Sequence, residues 1–210
     1  MKIIVFGATG GTGRNVVDCA LAAGHDVVAV ARKPDAVAAR ARLVVHKGDV
    51  LDAASVQAAL SGGDAVICAI GPASNSKPGT LISEGAKNIV SGCAATGVRR
   101  LVFESGMICS DGSELSFFGR LAVGAFRTLF SKLHADKVIA EASVQASGLD
   151  WVIVRPPALK HAPATAKYLA GPGARIFPGS ALSHADCAEV LVKAATEGQW
   201  IKQVINVGRA

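Results

Sequence analysis

Short runs of β-branched and other apolar residues recur along the chain, at 2–6 (KIIVF), 26–31 (DVVAVA), 42–46 (RLVVH), 64–70 (DAVICAI), 100–104 (RLVFE), 151–155 (WVIVR) and 203–207 (QVINV). Each predicts a strand, and their near-continuous apolar character predicts a sheet covered on both faces. Between them apolar residues return at helical spacing: Val16, Val17, Ala20 and Leu21; Ile82, Ala86, Ile89, Val90 and Cys93; Val138, Ile139 and Ala142; Val190, Leu191 and Ala194. Strand and helix in alternation predict an α/β fold with a doubly wound parallel sheet. Two segments break the alternation. The first, 111–134, holds four of the seven phenylalanines, and the second, 158–182, is rich in Pro, Gly and Ala. Both follow the carboxyl ends of strands, where such folds place substrates. Phe117, Phe118, Phe126, Phe130 and Leu133 could wall a planar substrate or a subunit contact, but core packing of an amphipathic helix is the preferred expectation.

A length of 210 residues suits one compact domain spanning 1–210, without disulfides or a structural metal. No apolar run approaches the roughly 20 residues that cross a bilayer, so no membrane partner is expected. The start of the chain, MKIIVF, runs directly into a glycine cluster with no leader-like pattern, so the expected compartment is the cytoplasm. Cys19, Cys68, Cys93, Cys109 and Cys187 are odd in number and widely spaced, and read as reduced packing residues. None of the five histidines pairs at HxH or HxxxH spacing, so no metal site is expected. The net charge of +6 suits an anionic ligand. Apart from Arg99–Arg100 the cations are scattered, and no basic helix or RNA-binding motif accompanies them, so nucleic acid is not an expected partner.

The candidate chemistry begins at Gly7-Ala8-Thr9-Gly10-Gly11-Thr12-Gly13, which follows a predicted strand and opens a predicted helix. That context marks a dinucleotide loop. Gly7 allows the tight turn, Gly10 lets the backbone approach a pyrophosphate, Gly13 lets helix and strand pack closely, and the helix N-terminus offers unpaired N–H donors. About 20 residues beyond such a loop, an acidic residue binds the adenosine ribose in NAD proteins. Arg32 and Lys33 stand there instead. A guanidinium can grip a 2′-phosphate bidentately and the ammonium can add a point charge, so the expected cofactor is NADP(H). Asp49, in the turn Gly48-Asp49-Val50, can meet the adenine amine or serve as an ordinary helix cap.

The GATGGTG loop, the GDV turn, SEGAKNIV (83–90), GVRRLVFES (97–105) and SGLDWVIVRPPAL (147–159) together resemble atypical short-chain dehydrogenases. The likeness is strongest to the NAD(P)H-binding group that contains biliverdin-IXβ reductase, also a flavin reductase, and the NmrA-like proteins. It covers nearly the whole chain. It implies a single Rossmann domain in which Gly7, Thr9, Gly10, Thr12 and Gly13 meet the pyrophosphate and Arg32 the 2′-phosphate. Asp49 and Val50 would flank adenine. Ala69, Ile70 and Gly71 would line the ribose-nicotinamide path, with Ser105 and Arg155-Pro156-Pro157 near the nicotinamide.

The chain departs from typical short-chain dehydrogenases at the proton donor. Lys137 stands where the lysine of a YxxxK pair belongs, but Leu133 occupies the tyrosine position, and the only tyrosine, Tyr168, is followed four residues later by Pro172. Ser105 is present but is followed by Gly106. Lys137 can hold a ribose hydroxyl, or be an exposed lysine beside Glu141 one helical turn on. His134 and His161 are near enough in sequence to reach the pocket, and equally read as surface histidines. Ser183-His184-Ala185-Asp186 reads as a helix start capped by Ser183.

Reduction of a simple ketone develops a localised alkoxide, for which a positioned acid contributes about 10²- to 10⁴-fold. A flavin or linear tetrapyrrole spreads the incoming charge and can take its proton from water. The expected activity is therefore NADPH-dependent hydride transfer to a flavin, tetrapyrrole or similar conjugated acceptor by a monomer or homodimer, with Ser105 and Lys137 as candidate catalytic residues. Two other functions fit the same residues: a non-catalytic NADP(H)-sensing regulator, and a quinone or enone reductase.

Overall fold

The computed structural model describes residues 1–72, 79–113, 115–177 and 179–210. Seven of its strands follow the predicted runs: β1 (Lys2–Phe6), β2 (Asp26–Ala31), β3 (Leu43–Lys47), β4 (Ala65–Cys68), β5 (Arg100–Glu104), β6 (Asp150–Arg155) and β10 (Gln203–Arg209). Three more, β7 (Leu159–Lys160), β8 (Tyr168–Gly171) and β9 (Leu182–Ser183), arise at or within the segment that broke the alternation. The main sheet runs β3-β2-β1-β4-β5-β6-β10-β8 and is parallel throughout except at its edge. There β8 pairs antiparallel with β10, Gly171 opposite Asn206. The strand order reverses between β1 and β4, which opens a crevice at the carboxyl ends of the strands.

Alternation along β1 divides the core. Ile3 and Val5 pack with Val16, Ala20 and Leu191 from α1 (Gly11–Ala22) and α6 (His184–Thr196). Ile4 and Phe6 face the other way, against Val56, Ile89 and Val144 from α2 (Ala53–Leu60), α3 (Leu81–Thr96) and α5 (Ser131–Gln145). Successive side chains of a strand point to opposite faces, so one apolar run serves both layers.

Buried charges tie the helices to this frame. Asp136 on α5, 7% exposed, accepts from the backbone N–H groups of Ile82 and Ser83 at 2.9 Å each, and so caps α3 from a neighbouring helix. Arg100 donates to the carbonyls of Ala194 and, at 2.8 Å, Gln199 beyond the end of α6. The doublet Arg99–Arg100 thus has one exposed member and one buried structural one. Ser183 caps α6 as expected, accepting from the N–H of Asp186 at 2.9 Å. All five cysteines are free thiols.

The phenylalanine-rich segment corrects the sequence expectation of core packing. It forms α4 (Phe117–Leu129), of which only Gly119 and Val123 are buried. Phe117, Phe118, Leu121, Phe126, Leu129 and Phe130 are all exposed. The apolar face is real, but most of it turns away from the core.

Candidate active site

The glycine loop is shaped by what surrounds it. Gly7 leaves β1 with φ +81°, and a Cβ there would lie 2.3 Å from the carbonyl oxygen of Ala69. A Cβ at Gly13 would lie 2.0 Å from the carbonyl oxygen of Gly7, so helix and loop touch backbone to backbone. A Cβ at Gly10 would meet, among the described residues beyond its chain neighbours, only the Gly7 carbonyl oxygen within 4 Å, at 3.3 Å. Its free side faces the crevice, into which α1 begins without any capping side chain. Open space beside a glycine and uncapped N–H donors fit a bound pyrophosphate.

The loop forms one wall of a cleft of about 760 Å³ along the carboxyl ends of the strands. One end is lined by Arg32, Gly48, Asp49 and Val50, the middle by Ala69, Ile70 and Gly71. At the other end stand Ser105, Lys137, Pro156 and Pro157, together with Met107, Ile108, Val123, Phe126, Phe130 and Leu133. Fifteen of the residues expected from sequence therefore share one cavity: Gly7, Thr9, Gly10, Gly11, Thr12, Arg32, Asp49, Val50, Ala69, Ile70, Gly71, Ser105, Lys137, Pro156 and Pro157. Four do not line it. Ala8 is buried behind the loop, Gly13 lies inside α1, and Lys33 is exposed outside the cleft. Arg155 instead grips Glu141, Nε to Oε1 at 3.0 Å and Nη2 to Oε2 at 2.5 Å.

That ion pair removes the reading of Lys137 as an exposed partner of Glu141. Glu141 is engaged by Arg155, and Lys137 Nζ donates to the carbonyl oxygen of Ser105 at 2.7 Å, inside the cleft. Ser105 is 4% exposed and its Oγ donates to Cys109 Sγ at 3.7 Å. Burial pushes the Cys109 thiol up. Asp49 does not cap α2; its Oδ1 accepts from the N–H of Leu51 at 3.0 Å, while the cap is Asp52, accepting from Ala54 and Ser55.

Two ionisable residues in the cleft escaped the sequence reasoning. Glu104, 8% exposed at the end of β5, accepts from Thr12 Oγ1 at 2.9 Å and Cys187 Sγ at 3.8 Å. Burial pushes its carboxyl up, against the opposing influence of Lys137 and these hydrogen bonds. A carboxylate closing an otherwise apolar strand was the available signal. His184 shares Thr12 Oγ1 through its Nδ1 at 2.9 Å and leaves so little room at Gly11 that a Cβ there would lie 2.6 Å from its Nε2. Burial, then the neighbouring His161 with ring centroids 4.8 Å apart, lowers its pKa. Reading Ser183–Asp186 only as a helix start concealed it. His134 and His161 do not line the cleft. Nor does Tyr168, whose hydroxyl accepts from Lys193 Nζ at 2.8 Å on the far edge strand. Among the described residues no group of three His, Cys, Asp or Glu is placed to hold a metal, and no helix is long and apolar enough to cross a membrane.

The NAD(P)H-binding family model matches residues 7–198. An uncharacterised chloroplastic protein of Arabidopsis thaliana is 30% identical over 221 residues, covering 98% of this chain and 76% of the plant protein. Among solved structures, the oxidoreductase ylbE of Lactococcus lactis superposes with a TM-score of 0.84 at 20% identity, covering 100% of this chain and 91% of its own. ChuY, an anaerobilin reductase of Escherichia coli O157:H7, does so with a TM-score of 0.81 at 24% identity, covering 100% and 97%. With its glycine cradle, crevice and sheet order in agreement, the chain belongs to the NAD(P)H-binding family and has the fold of NAD(P)-dependent oxidoreductases.

Proposed function

We propose that the protein is an NADPH-dependent reductase of a flavin or a similar conjugated acceptor, such as a linear tetrapyrrole. The observation that carries this reading is the acceptor end of the cleft, walled by Met107, Ile108, Val123, Phe126, Phe130 and Leu133 and holding no phenol. When bound, the reduced nicotinamide supplies the hydride. The chain's own residues supply position. The N–H groups at the start of α1 hold the pyrophosphate, Arg32 holds the 2′-phosphate, and Asp49 and Val50 flank the adenine. Ala69, Ile70 and Gly71 carry the path to the nicotinamide, with Ser105, Pro156 and Pro157 beside the ring.

Lys137 serves as a ribose-hydroxyl ligand in this reading: its ammonium is anchored on the Ser105 carbonyl at 2.7 Å and has two further N–H donors to offer. The apolar wall excludes water from one face of a planar acceptor and offers it flat contact. A delocalised product anion then collects its proton from solvent, which the open cleft admits. The likeness in fold to a protein described as an anaerobilin reductase supports a conjugated acceptor class.

Cofactor choice gives a direct test. Arg32 is an exposed guanidinium at the ribose end of the cleft, so NADPH is expected to bind at least about tenfold tighter than NADH, equivalent to ~1.4 kcal/mol. Arg32→Ala removes most of that margin, because one charge-assisted contact contributes about 1.5–3 kcal/mol. Titration calorimetry with both cofactors measures it. Equal affinities in the wild type would contradict the assignment.

Proton supply gives another. With solvent as the donor, Lys137→Ala and His134→Ala each lower kcat by less than the ~10²-fold expected of a general acid. Steady-state flavin reduction by NADPH across a range of pH reads this out. A loss near a thousandfold in either variant with NADPH binding intact would reveal a dedicated acid.

A further inference from the structure

The exposed face of α4 has no counterpart in the reductase reading. At 100° per residue, Phe117, Phe118, Leu121, Ala125 and Leu129 share one side of the helix, and three of them are more than two-thirds exposed: Phe117 70%, Phe118 75% and Leu129 75%. The same helix then turns Phe126 toward the cleft, where it stacks on Phe130 with ring centroids 5.5 Å apart. Helix α4 therefore carries apolar side chains both on its outer side and at the acceptor end of the cleft. The charged residues of α4 and the first turn after it are Arg120, Arg127 and Lys132, with Glu114 preceding the helix in sequence and the buried Asp136 following it. Arg120 and Arg127 are held at the base of the helix, their Nε atoms each donating at 2.9 Å to the carbonyls of Gly112 and Ile108.

We propose that α4 is a docking helix for an anionic lipid surface, which seats the mouth of the acceptor cleft against the bilayer. Phenylalanine and leucine on one side and only cations among the charges is the composition of a helix that lies in the headgroup boundary. Its 13 residues reach about 20 Å, too short to span the hydrocarbon core and long enough to lie along it. The sequence expectation of no membrane partner rested on the absence of a spanning segment, and this mode needs none. A second copy of the chain is a poorer occupant. An isologous contact through this face would bring the exposed Arg120 and Lys132 of one protomer near those of the other at the rim of the contact. The basic balance of the whole chain, +6, favours the anionic surface over a like-charged partner. This inference goes beyond the reductase reading and does not depend on turnover.

The test is co-sedimentation of the full chain with vesicles of phosphatidylcholine alone and of phosphatidylcholine mixed with phosphatidylglycerol. Binding is expected to the mixed vesicles, to weaken as salt is raised, and to be much poorer to phosphatidylcholine alone. The double variant Phe117→Ser/Phe118→Ser is expected to lose about tenfold or more of the partition coefficient. Neither residue lines the cleft, so its NADPH affinity and circular dichroism stay those of the wild type. No binding to the mixed vesicles, or equal binding by wild type and variant, would overturn the proposal. So would light scattering that shows a dimer lost on the same double substitution, which would assign the face to a second copy.

Discussion

Gly10→Val is expected to weaken NADPH binding more than about 100-fold, a loss above ~2.7 kcal/mol, in a protein that still folds. Both halves follow from local geometry. Gly10 sits at φ −77° and ψ 172°, extended backbone that a β-branched residue adopts without strain. Its new Cβ would meet only the Gly7 carbonyl oxygen, at 3.3 Å, a tight contact that asks the loop to shift by a few tenths of an ångström rather than to refold. The two methyl groups would then project into the space proposed for the pyrophosphate. Gly7 and Gly13 are different, because a Cβ at either would drive into backbone at 2.3 or 2.0 Å and damage the fold itself. Calorimetric titration paired with thermal unfolding separates the two effects. Undiminished NADPH affinity in a folded Gly10→Val protein would remove this loop as the site.

The largest effect on stability is expected at Asp136. Its two carboxylate oxygens take the N–H groups of Ile82 and Ser83 at 2.9 Å, and the residue is 7% exposed, so Asp136→Ala strands two buried donors at the start of α3. Charge-assisted hydrogen bonds contribute about 1.5–3 kcal/mol each, and the pair should cost roughly 3–5 kcal/mol when lost together. For a domain of this size that corresponds to a fall in Tm of roughly 10 °C. Asp136→Asn keeps one accepting oxygen and should fall between. Denaturant midpoints for the three proteins give the comparison, and a loss below about 1 kcal/mol in Asp136→Ala would show that water replaces the carboxylate. Because Lys137 follows directly, the alanine variant should also loosen the acceptor end of the cleft.

The parts of this site legible in the sequence are those whose chemistry is local. The strand, turn and helix start around GATGGTG need only neighbouring residues, so the loop could be placed and its glycines given separate tasks. Arg32 was legible because it stands where a carboxylate would otherwise serve an NAD protein. The run 64–70 predicts a longer strand than β4, since Ala69 and Ile70 are apolar enough to continue it. They instead leave the sheet at Cys68 to line the cleft.

What was not legible depends on residues far apart in the chain. Asp136 caps a helix 54 positions away, a contact that neither helical spacing nor a local capping box announces. The spacing offered Lys137, one turn earlier, as one possible neighbour for Glu141, yet Arg155 on a neighbouring strand takes the carboxylate and the lysine meets Ser105. The edge strand β8 exists only through its antiparallel register with β10. For α4, hydrophobic spacing identified an apolar face but carried no information on what would cover it.

Hydride transfer from NADPH to a conjugated acceptor is read out by steady-state oxidation of NADPH with FMN, FAD, biliverdin, a quinone and a simple ketone under identical conditions. Turnover is expected with a flavin or the tetrapyrrole, and little with the ketone, whose localised alkoxide would need the phenol that Leu133 replaces. Turnover confined to the ketone, or tight NADPH binding with no oxidation by any acceptor, would contradict it, and the second result would identify an NADP(H)-sensing protein instead.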